Sequence, residues 1–69
     1  MEYGLRVKVD GLGSFYDKPK TNRHALKAKA GRIFHSDLVK SVCVFDELGD
    51  SHLYLKKNAD GTVTREELK

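Results

Sequence analysis

The chain has 69 residues, 39% of them hydrophobic and 33% charged, with a formal net charge of +3. That length makes one domain, residues 1–69, and argues against a large enzyme pocket. One cysteine excludes an intrachain disulfide and a cysteine-rich zinc site, and no metal or other cofactor is expected.

The N-terminal residues Met1 to Arg6 lack the long apolar run of a signal peptide. No stretch approaches the roughly 18 apolar residues of a membrane span, so the expected location is cytoplasmic, away from membranes. Leu5-Arg6-Val7-Lys8-Val9-Asp10 alternates apolar and polar residues, which predicts a half-buried strand with Leu5, Val7 and Val9 facing the core. Gly11-Leu12-Gly13-Ser14 ends it. Ser14 to Arg23 has little periodicity and holds the only proline, Pro19, so it reads as a long loop. Within it Phe15 and Tyr16 stand beside Lys18 and Lys20, a pairing suited to base stacking and phosphate contact, though anchoring of one ring on the core is expected.

Residues 22–30 read two ways. Alanine, leucine and lysine favour a helix that Thr21 or Asn22 could cap, yet Leu26-Lys27-Ala28-Lys29-Ala30 alternates as cleanly as the first strand. The favoured reading is a strand bent at Gly31, with Leu26, Ala28, Ala30 and Ile33 inward and Lys27 and Lys29 outward. After a second loop, in which Leu38 and Val39 tuck inward, Ser41-Val42-Cys43-Val44-Phe45-Asp46 predicts a buried central strand, with Cys43 as a small core hydrophobe. Glu47 to Asp50 forms a hairpin turn, and Ser51 to Lys56 returns with Leu53 and Leu55 on one face and His52 and Tyr54 on the other. Asn58-Ala59-Asp60-Gly61 turns into a short strand at Thr62-Val63-Thr64. Thr64 to Glu67 then fits a capping box that opens a helical turn, from which Leu68 closes the core.

Lys56 to Glu67 also has calcium-loop spacing, with Asn58, Asp60, Gly61 and Glu67 at positions three, five, six and twelve. Lys56 at position one cannot ligate calcium, and a hairpin turn is the preferred reading. Asp46, Glu47, Asp50 and His52 cluster across a tight turn where exposed charge is expected.

Charge is uneven. Residues 18–40 carry seven basic side chains against Asp37 alone, a net of +6; the remaining six basic and nine acidic residues net −3. Such a patch attracts polyanions.

Five short strands separated by turns suit a small closed sheet. The opening Gly4-Leu5-Arg6-Val7-Lys8-Val9, the Ala30-Gly31-Arg32-Ile33-Phe34 kernel and the Val42-to-Asp50 strand and turn resemble the SH3-like small barrels, their KOW and Tudor-like branches in particular. The resemblance implies an all-β, five-stranded barrel with a long first loop and a short C-terminal helical turn. It implies a non-enzymatic binding module. Combined with the charge pattern, the expected partner is nucleic acid, RNA or DNA, or another polyanion. Lys18, Lys20, Arg23, Lys27, Lys29 and Arg32 would contact phosphates, with Phe15 or Tyr16 stacking. The alternative is a protein–protein interaction adaptor or small regulator, of phage or mobile-element type, that binds through Leu12, Leu38, Val39 and Leu48. A monomer or weak dimer is expected in either case.

Overall fold

A computed structural model describes residues 1–17 and 21–68. Lys18 and Lys20 lie outside the described residues. The elements run β1 (Tyr3–Val9), β2 (Gly13–Tyr16), α1 (Arg23–Phe34), β3 (Val39–Asp46), β4 (Ser51–Lys57) and β5 (Val63–Glu67). All strand pairings are antiparallel, and the sheet order is β2-β1-β3-β4-β5.

The fold is mostly β, with the expected number of strands but not the expected set. The sheet is open: β2 and β5 are its two edges, and no pairing joins them into a barrel. The first loop contains β2, which pairs Phe15 with Val7 and Tyr16 with Arg6. Neither ring is an anchor, since Phe15 is 52% and Tyr16 67% exposed. The C-terminal capping box is absent as well: Thr64 to Glu67 extend β5 along β4, and Leu68 is exposed. A backbone already paired to a neighbouring strand gains nothing by coiling into one isolated turn.

The largest departure is residues 23–34, which form a helix rather than a bent strand. Asn22 caps it, its side-chain oxygen accepting the Ala25 N–H at 3.0 Å. Leu26, Ala30, Ile33 and Phe34 follow helical spacing and make one apolar face, while Ala28 turns to solvent. That face packs on one side of the sheet against Leu5, Val39, Val42, Val44, Leu53 and Leu55. Val7 and Val9 are partly buried beside them, as the alternation of β1 predicts. Val39 is buried as expected, but Leu38 is exposed.

Gly31 lies inside the helix, where an added Cβ would meet nothing within 4 Å. Gly31→Ala is therefore expected to stabilise the fold by about 0.5–1 kcal/mol through reduced chain entropy. A higher urea midpoint with an unchanged m-value would show it; a lower midpoint would contradict the helix.

Candidate nucleic-acid interface

Because α1 covers one side of the sheet, the alternate residues of every strand are left on an open face. The register orders them into rows that cross the strands. One row reads Ser14, Lys8, Ser41, Lys56 and Thr64 from β2 to β5. The next reads Tyr16, Arg6, Cys43, Tyr54 and Glu66. A third contains Gly4, Phe45 and Ser51. Adjacent side chains within a row are about 5 Å apart, and successive rows about 7 Å.

Arg6, Lys8 and Lys56 are exposed and, among the described residues, none of them forms an ion pair. Glu66, beside Tyr54 at the β5 edge, is the one carboxylate in these rows. Lys8, Ser41 and Lys56 line a shallow concavity of about 740 Å³, to which Lys40, Asn58 and two carboxylates at its rim, Asp10 and Asp37, also contribute. Lys40 is paired with Asp10 at 3.3 Å. Cys43 is buried beneath the face, its Sγ 3.6 Å from the Ser51 hydroxyl. The Phe45 ring lies over Gly4, where a Cβ would stand 2.6 Å from it, so this ring is spent on the backbone of β1. Among the described residues of this face, Tyr16, exposed, and Tyr54, half-buried, are the rings available to a ligand.

The basic residues expected to form the site lie elsewhere. Lys27 donates to Glu67 at 3.0 Å and to the Leu68 carbonyl at 3.1 Å, tying α1 to β5. Lys29 pairs with Asp17, tying α1 to the end of β2. Arg23 bonds His52, and Arg32 is exposed on α1 without an ion pair among the described residues. Phe15 shares the helix side with Val7, whereas Tyr16 is on the open face, so the two rings point in opposite directions. Of the expected set, only Tyr16 joins Arg6, Lys8, Tyr54 and Lys56. The signal that could have found the other four is alternation itself: they are the polar partners of the predicted core residues on β1 and β4.

Of the expected exposed charge cluster, Glu47 and Asp50 are exposed, but Asp46 and His52 are buried, 5% and 6% exposed. A bulge between Val44 and Phe45 shifts the β3–β4 register and turns His52 toward the helix side. His52 Nε2 lies 2.8 Å from Asp46 Oδ2, and Arg23 Nη1 lies 3.3 Å from His52 Nδ1. A guanidinium only donates, so Nδ1 accepts and the Nε2–H donates to Asp46. The other Asp46 oxygen accepts the Leu48 and Asp50 backbone N–H groups, and Tyr3 meets the imidazole edge-on at 5.2 Å. An aspartate–histidine pair could orient a nucleophile, but here the third member is an arginine, and the trio bolts α1 to the β3–β4 hairpin.

These bonds, the one from His52 above all, hold the Asp46 carboxyl below its ordinary value of 3.8. A depressed carboxylate pKa contributes stability above the ordinary value, and that contribution is lost as pH falls through the lowered one. The native chain is expected to lose thermal stability from about pH 4 downward, and Asp46→Asn, which cannot titrate, to lose less over the same range. Melting curves of the two chains across that range check it; parallel losses would remove Asp46 as the cause.

The calcium-loop residues are occupied differently. Asp60 accepts the Thr62 N–H and hydroxyl within its turn, and Glu67 is held by Lys27 and Arg65. Comparison with protein-family models, curated proteins and solved structures finds no match to this chain.

Proposed function

We propose that this chain is a non-enzymatic nucleic-acid-binding module whose ligand lies on the open face of the sheet. The observation that carries this reading is the arrangement of Arg6, Lys8 and Lys56, free of ion pairs among the described residues, in rows that also hold Tyr16 and Tyr54. Cations alone would suit any polyanion. Rings interleaved with them add faces on which a planar base can stack, a contact that cations alone do not offer. The helix supplies the complementary argument: Arg23, Lys27 and Lys29 already hold the fold together, which leaves Arg32 as the one unpaired cation of α1 among the described residues. The binding face does not depend on the SH3-like resemblance.

The adaptor reading gains less support. Leu12 and Leu38 are exposed near the Val9 end of β1, but Leu48 is exposed in the β3–β4 turn at the opposite end, and Val39 is buried. They do not make one apolar patch. Titration of labelled oligonucleotides at two salt concentrations tests the function. Affinity is expected to fall steeply with salt, with a log–log slope of about −0.7 for each phosphate contacted on a single strand. Absence of binding at low salt would overturn the proposal and leave the protein-adaptor role as the reading to pursue.

A further inference from the structure

We infer that the open face takes a single strand rather than a duplex, laid across the β-strands with its phosphates on one row and its bases on the next. The inference rests on the nucleic-acid reading above and goes further in naming the form and the path of the ligand. Ser14, Lys8, Ser41 and Lys56 make a row of hydrogen-bond donors, which suits a phosphodiester backbone, and the row ends at Thr64, whose hydroxyl bonds the Asn58 side chain. About 7 Å away, the parallel row carries Tyr16 and Tyr54 at its ends with Arg6 and the buried Cys43 between them, on four consecutive strands of the sheet. Tyrosine rings and a guanidinium plane all accept a stacked base. The two tyrosines stand three strand spacings apart, about 14 Å, which suits a site on the order of four nucleotides.

A duplex cannot use these rings, because the faces of its bases are covered by their neighbours in the stack. The element that could enter a major groove is α1, and three of its four cations are bound to Glu67, Asp17 and His52. Among the described residues, the unpaired cations Arg6, Lys8 and Lys56 stand beside the rings, and α1 adds only Arg32.

The test compares four probes at low salt on the full chain: a labelled oligouridine, an oligothymidine of equal length, a matched duplex, and heparin as a polyanion without bases. The single strands are expected to bind at least about tenfold more tightly than the duplex, with quenching of tyrosine fluorescence. Tyr16→Ala and Tyr54→Leu are each expected to weaken single-strand binding by about tenfold while leaving the salt slope and the duplex affinity unchanged. Tyr16 is on an exposed edge, so its variant reports even if Tyr54→Leu fails to fold, which circular dichroism would show. Equal binding of duplex and single strand, or indifference of the single strand to Tyr16→Ala, overturns the inference and leaves the nucleic-acid reading standing. Heparin binding as tight as the single strands overturns both, as does binding of no nucleic acid at all.

Discussion

Exchange of both Lys8 and Lys56 for glutamine is expected to weaken oligonucleotide binding by about a hundredfold at low salt. Each phosphate contact made by a lysine releases counterions worth about tenfold in affinity near 50 mM salt, and two are removed. The log–log salt slope should become shallower by about 1.4, since each contact to a single strand contributes about 0.7. Both side chains are exposed and unpaired among the described residues, so the fold should survive the exchange. The matching control is Lys27→Gln with Lys29→Gln on α1, which removes the same charge from the other side of the sheet. It should leave the salt slope nearly unchanged. The opposite result, a slope that responds to the helix pair and not to Lys8 and Lys56, would move the ligand to α1.

The second large effect concerns the fold. Leu26 is 2% exposed and is the large, fully buried side chain that α1 contributes to the core. Truncation to alanine is expected to cost about 3 kcal/mol, the sum of lost burial and an unfilled cavity. A chain of this size has roughly 3–10 kcal/mol of stability to lose. Leu26→Ala should therefore remove from about a third of the stability to all of it, and lower the urea midpoint in the same proportion. A loss below about 1 kcal/mol would mean that α1 is not docked as described.

Much of the sheet is readable in the residues themselves. β1 alternates because one of its faces meets α1 and the other meets solvent, and glycine marks the turns where φ is positive, as at Gly49 and Gly61. Residues 23–34 mislead because alanine and lysine at alternate positions fit either period. The helix is favoured by Leu26, Ala30, Ile33 and Phe34 finding one shared surface, and that surface comes from strands distant in sequence. The partners of Lys27 and Lys29 are also remote: Glu67 lies in β5 and Asp17 just past β2, so nothing in a run of basic residues reveals that its charges are committed. The open face is hidden for the complementary reason. Arg6, Lys8, Tyr16, Tyr54 and Lys56 come from three strands and show no local concentration of charge; only the register brings them together. His52 is misplaced by a single bulge, because one extra residue reverses the side to which a side chain points.

The strand order has a kinetic consequence. β1 with β2, and β3 with β4 and β5, are hairpins closed by short turns, which form from neighbouring residues. One seam, β1 against β3, joins residues such as Leu5 and Val44 from either side of α1. Its formation requires closing the whole intervening segment, so this seam carries the largest loop-closure cost of the sheet. Substitutions at Leu5 or Val44 are expected to act mainly by slowing refolding and changes in the outer turns mainly by hastening unfolding, which refolding and unfolding rates measured across a urea series check.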